Sequence, residues 1–246
     1  GEYIGSLESL ESSYTDEELA TFTRIKFSGA PRESSLLQKL LIKCPNAEFE
    51  FENVESSRQL KLITQLPPEL KQNINKITCM IEEFRELELD LSGFTPEIDF
   101  EFPNLTKISS ISKFKVENCK NFSAPNLKQI HGLLEINFSN QMDVSTLEDI
   151  YDLRINCSNS GVTLKLNSLK SISSNLELNG FRNVELLNPE TLLFPKGKIQ
   201  IRYKDEPMEI IKETFWTKLK ARLLKDTEGT IKCIDQDLID RINSEI

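Results

Sequence analysis

Four leucines, Leu105, Leu127, Leu147 and Leu169, each carry an isoleucine three residues later, at Ile108, Ile130, Ile150 and Ile172. The steps between them are 22, 20 and 22 residues, and a second apolar column, Phe122, Val144, Leu164 and Leu186, keeps the same steps. Two columns held at one period mean that a single structural unit is copied along the chain. A period of about 20 residues predicts a solenoid, in which each unit buries its apolar edge only against its neighbours. Such a scaffold points to binding as the kind of work and leaves the partner open.

From Leu87 onward each unit also carries an apolar-x-apolar pair: Leu87/Leu89, Phe114/Val116, Leu134/Ile136, Leu153/Ile155, Leu176/Leu178 and Ile199/Ile201. In an extended chain both members of a pair face one side and the residue between them faces out. Units of this length leave little room for a full helix, and the Asn, Ser and Pro between anchors predict tight turns. The expected product is a coil of short strands whose parallel sheets stack along its axis. The outward residues are Glu88, Lys115, Glu135, Arg154, Glu177 and Gln200, and the charged ones alternate in sign. Opposite charges side by side avoid repulsion across the ladder, worth roughly a few tenths of a kcal/mol each. The same row lies on the kind of extended face with which repeat proteins hold partners, so it is the predicted partner-binding surface. The next outward row is Asp90, Glu117, Asn137, Asn156, Asn179 and Arg202, whose three successive asparagines predict a structural ladder of stacked amides.

The ends differ from the middle. Residues 1–18 are acidic and serine-rich without periodicity, which predicts a disordered tail. Residues 19–205 are assigned to the solenoid, beginning with a strand at 21–28, a helix over 34–44 with Leu36, Leu37, Leu40 and Leu41, and a strand at 47–54. A helix around Leu60, Leu62 and Ile63 ends before Pro67-Pro68, and 77–81 reads as helix or strand. Residues 206–246 are assigned to a helical C-terminal cap, with Met208, Ile211, Phe215, Leu219 and Leu223 on one stripe and Trp216 beside it. A strand is expected over 231–234 and a last helix over 235–246. A cap suits the fold, because the last unit would otherwise expose its apolar section.

Two segments carry family resemblances. Ser35 to Asn46, SLLQKLLIKCPN, resembles the helix-then-Cys-Pro-Asn segment of F-box-type leucine-rich repeats. Residues 102–187 resemble the receptor L domain through Pro103-Asn104-Leu105-Thr106-Lys107-Ile108 and Pro125-Asn126-Leu127-Lys128-Gln129-Ile130, echoed by Asn167-Ser168-Leu169-Lys170-Ser171-Ile172. These resemblances imply a leucine-rich-repeat-like start, an L-domain-like β coil, and recognition of a protein or other ligand.

Bulk properties narrow the function. A net charge of -9 and a pI near 4.9 argue against a nucleic-acid surface, which needs clustered Lys and Arg. No apolar run is long enough to span a bilayer, and no basic-then-apolar leader opens the chain. Five cysteines, odd in number and without CxxC spacing, predict reduced buried thiols and a cytoplasmic or nuclear location. The alternative is a secreted or cell-surface receptor-type or wall-associated ligand-binding L domain; the four Asn-x-Ser/Thr sequons, at Asn104, Asn121, Asn137 and Asn156, are close to what this much Asn, Ser and Thr gives by chance and do not decide it. The only histidine, His131, has no nucleophile beside it in sequence, and neither a phosphate-cradling loop nor a Cys/His ligand cluster is present. The sequence therefore predicts no catalytic residue, cofactor or metal. It predicts a protein-recognition scaffold, an intracellular adaptor or the substrate-reading subunit of a larger complex.

Overall fold

The computed structural model describes residues 1–29, 33–159, 161–181, 183–185, 198–203 and 230–232. The first part of the chain alternates strands and helices: β1 (Glu2–Gly5), α1 (Leu7–Ser13), α2 (Asp16–Leu19), β2 (Arg24–Phe27), α3 (Ser34–Lys43), β3 (Glu48–Val54), α4 (Ser57–Thr64), α5 (Pro68–Lys71) and β4 (Ile74–Cys79). Strands follow: β5 (Glu83–Phe84), β6 (Glu88–Leu91), β7 (Asp99–Glu101), β8 (Lys107–Ile108), β9 (Lys113–Ser123), β10 (Gln129–Asp143) and β11 (Asp149–Cys157). The last described elements are β12 (Thr163–Lys165), β13 (Ser171–Phe181), β14 (Asn183–Glu185), β15 (Lys198–Tyr203) and β16 (Thr230–Lys232). Every pairing among the described strands is parallel. Fourteen strands form one sheet, and β12 with β14 forms a second, two-stranded one. Parallel neighbours need a crossover, which helices supply early and turns supply later.

Three ladders run through this arrangement. In the first, Phe84, Ile108, Ile130, Ile150 and Ile172 stand in register. In the second, Leu89, Phe114, Leu134, Leu153, Leu176 and Ile199 align, with Leu91, Val116, Ile136, Ile155, Leu178 and Ile201 two residues on. The third aligns Phe27, Phe51, Ile77, Phe100, Phe122 and Met142. Long strands cross from one ladder to another at bulges. In β9 the crossing is at Asn118, with φ 54°, and in β13 at Gly180, with φ 80°. The anchor leucines Leu105, Leu127 and Leu147 are fully buried, as are Ile108 and Ile130. Rings fill the middle: Phe102 lies 5.2 Å from Phe114 and 5.6 Å from Phe122, centroid to centroid. Their burial is the main cohesive force here.

The repeated spelling has a hydrogen-bond cause. The residue after each anchor donates its N–H to its counterpart one unit earlier: Lys128 to Thr106 (2.9 Å), Glu148 to Lys128 (2.8 Å) and Lys170 to Glu148 (2.7 Å). The residue before the anchor reaches back as well. Asn126 Nδ2 donates to the Pro103 carbonyl (2.6 Å), and Thr146 Oγ1 donates to the Pro125 carbonyl (2.7 Å). A short polar side chain is therefore needed at that position, because it satisfies a turn carbonyl that has no strand partner.

The expected strand–helix–strand order over 21–54 is present as β2, α3 and β3, α4 covers the helix around Leu60, and 77–81 falls mainly in strand β4. Four expectations need correction or lie elsewhere. Residues 1–18 are not a tail: β1 pairs with β2, and Leu7, Leu10 and Leu19 are buried. The serines, threonine and acids read as disorder are helix caps. Ser6 Oγ accepts from the Ser9 N–H (3.1 Å), and Thr15 with Glu18 forms a capping box. The first apolar pair is Leu89/Leu91 rather than Leu87/Leu89, and Leu87 is 70% exposed. The second column also slips, because Phe122 stands opposite Met142 and Leu164 opposite Val184, not Val144 and Leu186. Of the cap expected over 206–246, only Thr230–Lys232 is described, as a strand on β15. The rest lies outside the described residues.

Candidate interaction surfaces

The outward row of the second ladder can now be built residue by residue. Lys115, Glu135, Arg154, Glu177 and Gln200 are direct register neighbours, and the member before Lys115 is Asp90. Glu88, placed in this row by the sequence, stands opposite Lys113 instead, two residues earlier along the strand. The sign alternation survives the correction, since Asp90 is also acidic. Arg154 forks onto Asp152 of its own strand through Nε (3.1 Å) and Nη2 (3.0 Å). Asp152 is buried and takes a further donor from Asn175 (3.3 Å). The bond to Asp152 holds the Arg154 guanidinium above its ordinary pKa, with Glu135 and Glu177 on either side adding to the shift. Charge thus alternates within the strip, and its central cation is held by Asp152.

The amide ladder stands beside this row. Asn156 Nδ2 donates to Asn137 Oδ1 (2.6 Å), and Asn179 Nδ2 donates to Asn156 Oδ1 (2.6 Å). Among the described side chains, Asn179 Oδ1 at the end of the ladder is buried with no donor. An open groove of about 530 Å³ follows this edge, lined in part by Cys119, Phe138 and Cys157. Cys44, Cys79, Cys119 and Cys157 are all buried and form no disulfide with one another, and Cys233 lies outside the described residues. Burial pushes the Cys119 thiol up to about 12 and those of Cys44 and Cys79 up to about 11, which leaves these three poor nucleophiles at neutral pH.

A second open groove, of about 680 Å³, lies on the third ladder. Its floor is another chain of side-chain bonds, Asn140 to Asn121 (2.9 Å) and Asn121 to Asp99 (2.7 Å). No sequence signal singled it out, because its residues come from four units and share no motif. His131 is exposed within β10, between the first and second ladders, and not in a turn. Lys71, buried at 8% exposure, pins a turn: Nζ donates to the Ser92 carbonyl (3.2 Å) and sits over the Phe94 ring at 5.2 Å. Desolvation pulls its pKa down, partly offset by Asp90. Among the described residues no group of three or more His, Cys, Asp or Glu could hold a metal ion, and no helix is long and apolar enough to cross a membrane. No family model, curated protein or solved structure matches the chain.

Proposed function

We propose that the chain is a non-enzymatic recognition scaffold, a β-rich solenoid with a leucine-rich-repeat-like start, an L-domain-like coil and a helical C-terminal cap. It acts inside the cell as an adaptor or substrate-reading subunit of a larger assembly and binds a protein partner on the second ladder. One observation carries the reading. From Asp90 to Glu177 five successive strands set one row of charged side chains in unbroken register, and the backbone of β15 continues it at Gln200. A rigid strip of this kind loses little conformational entropy on docking, which is the main cost that binding must overcome. Its alternating charge favours a partner of matching pattern over a uniformly charged polymer. The sequons add little support for a surface location, because the amides of Asn121 and Asn156 already donate within the fold.

The charge-swapped variant Lys115→Glu with Glu135→Lys keeps the net charge of the strip and reverses two of its signs. Affinity capture from the native source, followed by hydrogen exchange of the purified complex, is expected to show at least tenfold weaker retention by the variant. Protection on binding is expected along β9, β10 and β11. Equal retention of the same partners by both proteins would remove the strip as the docking surface.

A further inference from the structure

Six large apolar side chains are exposed among the described residues, and three of them, Leu87, Ile111 and Tyr151, lie at one corner of the coil. Each sits where the chain passes from the first ladder to the second, ahead of β6, ahead of β9 and within β11. In the unit between, β10 opens its part of the second ladder with the partly exposed Leu133, in register between Lys113 and Asp152. Four units in succession thus carry an apolar side chain at or beside this corner, in the order Leu87, Ile111, Leu133, Tyr151. A solvent-facing apolar row of this kind marks an interaction site. It borders the charged strip, since Leu87 precedes Asp90 by three residues, Ile111 precedes Lys115 by four, Leu133 precedes Glu135 by two and Tyr151 precedes Arg154 by three.

The step of the strip bears on its occupant. Its charges change sign at every strand, about 4.8 Å apart, whereas a helix of about 5.4 Å pitch falls roughly 2 Å out of phase over four strands. A second copy of this chain carries the same step and stays in phase throughout. Turned end for end about a twofold axis along the strand direction, midway between β9 and β10, that copy sets its Glu135 over Lys115 and its Arg154 over Asp90. The same axis sets its Leu133 over Ile111 and its Tyr151 over Leu87, and each of these contacts occurs twice. Axes one strand to either side also oppose unlike charges, but each matches only two of the four apolar side chains with one another. The facing area, four strands by seven residues, is about 19 Å by 23 Å, roughly 450 Å² on each copy. That is the size of a weak, reversible interface.

We infer that the strip and the corner beside it form a self-association surface, on which a second copy of this chain docks in reversed unit order. This rests on the reading of the strip as a docking surface and names its occupant. Sedimentation equilibrium of the whole chain tests it, and a concentration-dependent dimer is expected. Lys115→Glu alone, or Glu135→Lys alone, sets like charges face to face and should weaken the dimer at least tenfold. Mixing the two single variants should restore the affinity as a mixed dimer, which a misfolded variant could not do. Lys115→Glu/Glu135→Lys should pair with itself as the unchanged chain does, yet fail to join unchanged chains. Tyr151→Ser should also weaken the dimer at least tenfold while leaving the urea midpoint where it was. A chain that stays monomeric, a dimer indifferent to the single charge reversals, or a mixture of the two variants that does not pair would overturn the inference. A monomer that still captures a different protein through the strip would overturn it and leave the strip's docking role standing. A monomer that captures nothing would remove both.

Discussion

Single residues set where this chain turns. Gly180 sits in the β13 bulge at φ 80°, and a Cβ there would lie 2.0 Å from the Cys157 carbonyl oxygen. Both the backbone region and the space exclude a side chain. Gly180→Ala is expected to lower stability by roughly 2–4 kcal/mol in urea denaturation, and a change below about 1 kcal/mol would mean that the bulge is not held as described. Asn118 performs the same turn in β9 at φ 54° with a residue type that tolerates this region, so the two crossings use different chemistry for one geometry. The buried thiols give a pH signature. Unfolded thiols ionise near about 8.5, whereas Cys44 and Cys79 are raised to about 11 and Cys119 to about 12. A raised folded pKa gives stability that is complete below the unfolded value and lost as pH climbs through the folded one. Under reducing conditions the urea midpoint should therefore fall between pH 8.5 and 11, and Cys119→Val should fall less steeply. Parallel pH profiles for the two proteins would refute the assignment.

At the scale of elements, the most telling piece is the N-terminal one. β1, α1 and α2 are docked, with Leu10 fully buried and Lys39 and Lys43 of α3 paired to Glu11 (2.8 Å) and Asp16 (2.6 Å). Leu10→Ala should cost about 2–4 kcal/mol by the usual transfer and cavity terms. A disordered tail would lose nothing, so a silent substitution would restore the composition-based reading. That reading failed because serine, threonine and glutamate serve equally in tails and in caps, and seven- and four-residue helices show almost no periodicity. The second ladder was legible for the opposite reason. Strict alternation in Phe114-Lys115-Val116 and its successors fixes which face each residue takes, and a one-residue slip would bury the charges. The register slipped only where alternation runs on. Leu87, Leu89 and Leu91 offer two equally good pairs, and Met142 with Val144 offers two core positions. The 680 Å³ groove could not be read at all, since its side chains are brought together from four units.

Across the molecule, strands join mainly in chain order, β9 to β10, β11, β13, β15 and β16, so each unit touches chiefly the one before and the one after. Ion pairs also link neighbours, as Arg24–Glu50 (2.6 Å) and Lys76–Glu101 (2.8 Å) do. Their partly exposed side chains make such pairs weak contributors. Cohesion along the length then rests on the apolar ladders, and a lesion in one ladder should be felt by distance in units rather than uniformly. Ile136 is suited to the test, being fully buried between Val116 and Ile155. Ile136→Ala should cost about 2–5 kcal/mol. In native-state hydrogen exchange, protection should fall first in β9, β10 and β11, while β2 and β3 keep most of theirs. A uniform loss across all strands would show that the chain unfolds only as a whole, and that the nearest-neighbour coupling read from its strand order does not govern its stability.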